Sequence, residues 1–154
     1  MFRPTIKVLA VAALALASAA PAGSQGAIVT SGEVNTFAQG VGLGYDITGK
    51  ARMIRTPSGK TIVSLQVKGL DPNTTYPTHV HKQACSNGNA GGHYQDVVGG
   101  AVDASNESWP TVSSNAAGNG QGMVVNDWYA RPEAQAIVIH STPTSIRLAC
   151  VDLS

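Results

Sequence analysis

Apolar and polar residues alternate strictly between positions 61 and 67 of this chain. Ile62, Ser64 and Gln66 fall on one side and Val63, Leu65 and Val67 on the other, the period-two signature of a half-buried strand. Residues 51 to 55 precede it with similar character, and Thr56-Pro57-Ser58-Gly59-Lys60 between the two reads as a hairpin turn. Residues 27 to 30 predict a first strand. Gly69-Leu70-Asp71-Pro72-Asn73 is a turn leading into an extended segment at 78 to 81. The stretch from Gln83 to Trp109 is the longest without strand periodicity and is rich in Gly, Asn and Asp. Gly118-Asn119-Gly120 marks another hairpin, with 122 to 126 as its return arm. Residues 135 to 140 and 146 to 153 supply the last two strands. No helical stretch is expected beyond the N-terminal segment. The pattern predicts an all-β sandwich or barrel carrying one long functional loop.

The N-terminus has a different character. Met1 to Lys7 carries two positive charges and no acid, 8 to 17 is a short run of Val, Leu and Ala, and Ala17-Ser18-Ala19 offers a small-x-small cleavage pattern. The apolar run is shorter than the ~20 residues of a membrane span. We therefore expect a secretory signal over residues 1–22, cut near 19–26, an exported protein of periplasm or cell exterior, and a single domain over 27–154. Removing Arg3 and Lys7 leaves eight basic against nine acidic residues, a nearly neutral domain. With no charge run or basic stripe, neither nucleic acid nor, after cleavage, a membrane is expected as partner. Asn73-Thr74-Thr75 and Asn106-Glu107-Ser108 match the N-glycosylation pattern.

The chemistry lies in four histidines. His79 and His81 form an H-x-H pair, whose side chains share one face of a strand while Val80 points the other way. His93 follows two glycines, which let the backbone turn sharply, and His140 ends the apolar run 136 to 139. Neutral imidazole suits Cu, Zn, Fe and Ni, so four with none to spare point to one metal centre. Two cysteines, Cys85 and Cys150, most simply form one disulfide in an exported chain, with metal ligation by thiolate as the alternative. The aromatic residues Tyr94, Trp109, Trp128 and Tyr129 read as core or rim packing.

Together these segments resemble the Cu/Zn superoxide dismutase family across most of the length after the signal. Lys68-Gly69-Leu70 followed by Thr78-His79-Val80-His81 is similar to that family's Gly-Leu…His-Val-His segment. Ala90-Gly91-Gly92-His93-Tyr94 is similar to its Ala-Gly-Pro-His-Phe, and Ile137-Val138-Ile139-His140 with Arg147-Leu148-Ala149-Cys150 to its Val-Val-His and Arg-Leu-Ala-Cys endings. The resemblance implies a Greek-key β-barrel with one copper held by His79, His81, His93 and His140, and a Cys85–Cys150 disulfide. It also implies that superoxide is converted to oxygen and hydrogen peroxide, with His93 carrying a proton and Arg147 guiding the anion.

Two departures place the resemblance closer to a copper-only branch. The chain has no fifth histidine, so the family's zinc site cannot be assembled in the usual way. Only six residues, Ser141 to Ile146, separate His140 from Arg147, where family members carry a long charged loop. In such members a glutamate stands in the vacated zinc region, and Asn106-Glu107-Ser108-Trp109 resembles that segment. Glu107 is then the candidate to accept the other ring N–H of His93 and fix its tautomer, with Asp96 and Asp103 as rivals in the same loop. The competing readings are a copper-binding or buffering protein on the same fold and a structural domain with a vestigial site. A monomer is expected, since the family's usual dimer face is not recognisable.

Overall fold

The computed structural model describes residues 26–154; the expected signal segment lies outside the described residues. Nine antiparallel strands make up nearly all the regular structure: β1 (Ile28–Thr36), β2 (Thr48–Arg55), β3 (Thr61–Lys68), β4 (Thr75–Tyr76), β5 (Thr78–His81), β6 (Val112–Ser114), β7 (Gly120–Asn126), β8 (Ala136–His140) and β9 (Arg147–Asp152). Their order across the sheet is β4-β6-β7-β3-β2-β1-β9-β8-β5, a nearly closed barrel with Greek-key crossovers. The two edge strands, β4 and β5, are consecutive in the chain and flank Pro77, which has no N–H to offer a ladder. The seam of the barrel therefore falls at a proline whose carbonyl is still used, by His140 N–H at 2.8 Å.

The β2–β3 hairpin forms where its pattern placed it, with Thr56 N–H bonded to Lys60 O and Gly59 at a φ of +82°. Val63, Leu65 and Val67 point into the core, while Ile62, Ser64 and Gln66 face outward. The β6–β7 hairpin is tied by Asn115, whose side-chain oxygen accepts from the N–H groups of Ala117 and Asn119.

Three elements differ from expectation. β1 runs to Thr36 rather than stopping at 30, because its outer residues pair with β2 although only Val34 is buried. A two-residue strand, β4, forms next to β6. A five-residue helix, α1 (Ala38–Gly42), corrects the expectation of none; it has no amphipathic period and no side-chain cap, so nothing in the sequence signalled it. Tertiary packing holds it: a Cβ on Gly40 would lie 2.3 Å from Leu148 O, so only glycine lets α1 approach β9 this closely.

β8 is buried on both faces. Ile137 and Ile139 join the barrel core with Met53, Leu65, Val80, Leu148 and Tyr94. Ala136 and Val138 face outward into a second, small cluster with Ala90 and Cys150, packed against Phe37 and Cys85. That cluster lies beneath the loop from 82 to 91, which the Cys85–Cys150 disulfide fastens to β9. No helix among the described residues is long and apolar enough to cross a membrane.

Candidate metal centre

The register of three neighbouring strands builds the site. His79 lies opposite Val138 and His81 opposite Ala136, so both project to the outer face of the barrel while Val80 fills the core between them. A bulge follows Ile139: it pairs with Ala149, whereas His140 pairs with Arg147. Skipping one residue re-aims the strand end and sets Arg147 beside His140. The segment around His93 runs antiparallel to β5, with Tyr94 N–H bonded to Val80 O at 2.8 Å and Lys82 N–H to Gly92 O at 3.0 Å. His93 thereby faces His81. Gly91, at a φ of +66°, makes the preceding turn, and a Cβ there would meet the Gln83 side chain at 2.7 Å.

The four imidazoles converge, each offering one nitrogen, and these atoms lie within 4.8 Å of one another. Which nitrogen each offers follows from what its other nitrogen touches. His81 Nδ1 is 3.1 Å from Gly91 O and His140 Nδ1 is 3.2 Å from Ser145 O. A carbonyl only accepts, so both Nδ1 atoms carry the proton and both Nε2 atoms present lone pairs. Those two Nε2 atoms face each other at 3.4 Å. His93 Nδ1 donates to Glu107 Oε2 at 2.7 Å, which leaves its Nε2 free as well. His79 differs: its Nδ1 is buried and has no hydrogen-bond partner among the described residues.

The electrostatics match this picture of neutral rings. Burial, reinforced by the neighbouring His93 and His140, pushes the His79 pKa down to about 3. Burial and then His93 push His81 down to about 3, against the opposing pull of the Gly91 carbonyl. His140 is lowered chiefly by burial too. Three of the four nitrogens are therefore deprotonated at neutral pH without any cation present. Lone pairs turned toward one another, an orphaned buried Nδ1 and neutral rings are the donor set that a borderline transition metal takes.

Around this cluster, Glu107 is 1% exposed and accepts three donors: His93 and Trp109 Nε1, at 2.9 Å, on Oε2, and Gln95 Nε2, at 3.3 Å, on Oε1. Asp96 instead faces Arg131 at 3.7 Å, and Asp103 holds Ser105. Arg147 sets its guanidinium against three carbonyls, Gly88 O at 3.2 Å, Asn89 O, and Gly91 O at 2.8 Å. The Gly91 carbonyl is thus shared by Arg147 and His81. Asn106 is buried, and its side chain bonds Val97 N–H and the Val97 and Ala101 carbonyls, so that glycosylation pattern is closed. Sequence reasoning missed Gln95 and the roles of the Gly91 and Ser145 carbonyls; backbone acceptors leave no residue-type signal. Trp109 was expected only to pack, although its spacing of two from Glu107 pointed to a shared face.

No protein-family model and no curated protein sequence matches the chain. Among solved structures, a mutant form of Candida albicans superoxide dismutase 5 is similar, with a TM-score of 0.58 over 84% of this chain and 92% of that one, at 15% sequence identity. The likeness is one of fold. It agrees with the barrel described above, and the histidine cluster and the Cys85–Cys150 disulfide stand on this chain's own geometry.

Proposed function

We propose that this chain is an exported, copper-dependent superoxide dismutase without a zinc site, acting on superoxide to give oxygen and hydrogen peroxide. The observation that carries the reading is the convergence of four imidazoles, each turning one nitrogen inward, beside Arg147, one cationic group at the edge of an anion's target. His79 through Nδ1, and His81, His93 and His140 through Nε2, are the residues that would hold the ion. Bound copper would supply the one-electron redox change that dismutation requires, which zinc cannot. With all four histidines committed to one ion, none is left for a second.

The chain's own residues supply the rest. Arg147 spends two N–H groups of one nitrogen and one of the other on the loop carbonyls, so its remaining N–H groups are available to an incoming anion. His93 keeps a proton at Nδ1 against the buried Glu107 carboxylate, so a proton-bearing, hydrogen-bonded pair adjoins the site. The six-residue β8–β9 connection supplies no long loop of its own to cover the site. The deciding experiment pairs metal analysis with a superoxide-consumption assay on oxidised, copper-loaded mature protein, with zinc present and absent. One copper, no zinc and fast turnover lost in His140→Ala establish the reading. One tightly bound copper with negligible turnover overturns it in favour of a copper buffer on the same barrel.

A further inference from the structure

The chain has two tryptophans, and their surroundings differ. Trp128 packs at the margin of the barrel core, 5.8 Å from the Tyr94 ring centroid. Trp109 packs against the imidazole of His79. Its indole N–H and the His93 ring N–H donate to the same oxygen, Glu107 Oε2. Trp109 forms a T-shaped pair with the His79 ring at a centroid distance of 5.5 Å, with the planes 69° apart.

Both contacts fall where the site lacks other constraints. A carboxylate turns broadly about its last torsion, and a single bond to His93 would leave Glu107 free to swing. Trp109 on Oε2 and Gln95 on Oε1 fix its plane from both ends. His81 and His140 are each oriented by a carbonyl at Nδ1, and His93 by Glu107. The His79 ring makes no hydrogen bond among the described residues, so ring packing alone sets its plane. Its neighbours are His93 at 4.1 Å, His140 at 5.0 Å and Trp109, and only Trp109 is not itself a candidate ligand.

We propose that Trp109 is a positioning residue for two of the four imidazoles, fixing His93 through the Glu107 carboxylate and His79 through T-shaped ring packing. The inference rests on reading the histidines as metal ligands, and it assigns to one aromatic side chain the orientation that neither ring obtains from the backbone. Partners of ligands at this remove typically change metal affinity 10- to 100-fold when lost.

The test uses the full mature chain, oxidised, metal-free and labelled with 15N. Long-range 15N–1H correlation spectra read the tautomer of each histidine ring. In the native protein His93 holds a single tautomer with its proton on Nδ1. Trp109→Phe, which keeps an aromatic ring and removes the N–H, turns His93 into a tautomer mixture, and Trp109→Leu also releases His79. The Cu(II) dissociation constant of Trp109→Phe rises about tenfold. A Trp109→Phe protein that retains the native His93 tautomer and the native dissociation constant overturns the proposal. The native protein gives an independent measurement if the variants do not fold: the Trp109 indole proton exchanges at least about tenfold more slowly than that of Trp128, and equal rates overturn the proposal. Since the tautomers are read without metal, a chain that bound no copper would refute the dismutase reading while leaving this result to stand or fall separately.

Discussion

Replacing both cysteines by alanine, Cys85→Ala with Cys150→Ala, removes a cross-link between residues 65 apart in the sequence. A loop of that length released in the unfolded chain corresponds to about 4 kcal/mol of lost stability at 25 °C. Packing adds to it. Cys150 is buried with Ala90, Ala136 and Val138, side chains too small to fill the space its sulfur leaves, for about 1 kcal/mol more. A total of about 5 kcal/mol is a large part of the 5–15 kcal/mol that holds a domain together. The assay is urea unfolding of the metal-free protein followed by tryptophan fluorescence. With a slope of about 2 kcal/mol per molar urea, the midpoint falls by roughly 2–2.5 M. A fall of less than about 0.5 M at unchanged slope refutes the reasoning. The same variant reports on the site, because the fastened loop delivers the Gly91 carbonyl to both His81 and Arg147. Copper affinity therefore falls along with stability.

Glu107→Gln places an amide where three donors converge on a carboxylate, so at least one of His93, Trp109 and Gln95 is left unpaired. The Cu(II) dissociation constant rises about 10- to 100-fold by equilibrium competition, and unchanged affinity and activity remove Glu107 from the site's function. Arg147→Ala lowers the superoxide rate about tenfold or more and flattens its dependence on ionic strength, whereas full rate with native salt dependence rules out anion guidance. Arg147→Lys keeps the charge but not the fork that spans the three carbonyls, so its salt dependence survives while its stability drops by about 1–3 kcal/mol. Because the His79 and His81 pKa values are depressed from 6.5 to about 3 in the folded state, the unfolded chain takes up protons that the folded one refuses. Stability of the metal-free protein is thus full above pH 6.5 and is lost as pH falls from there toward 3, with His81 alone contributing about 1–2 kcal/mol of loss at pH 5. Urea midpoints at pH 7.5 and pH 5 measure it, and equal midpoints refute it.

The barrel was legible because strands advertise themselves at period two, as Ile62 to Val67 does, and because turn residues such as Gly59 and Gly118 sit where their chemistry is needed. The histidine set was legible as residue types and order. What brings it together was not. The bulge after Ile139, which sets Arg147 beside His140, depends on how β8 and β9 register, and nothing in 136 to 153 encodes it locally. Helix α1 forms because Gly40 fits under Leu148, a contact across more than a hundred residues of chain. Among the three acids of the long loop the sequence could not choose; geometry separates them, with Glu107 turned inward to His93 and Asp96 held by Arg131.

The connection between β8 and β9 also makes the molecule a convenient scaffold. Ser141 N–H bonds Ile146 O at 2.8 Å, and the Ser141 hydroxyl accepts from Ile146 N–H, so the two ends of this segment are pinned to each other directly. Residues 142 to 145 can therefore be exchanged for longer segments, charged or apolar, with each doubling of length costing only about 0.6 kcal/mol of closure entropy. Only the Ser145 carbonyl, which orients His140, has to be supplied again by the graft. Reach, selectivity and traffic at the mouth of the site then become adjustable by splicing, with the imidazole cage below left as it stands.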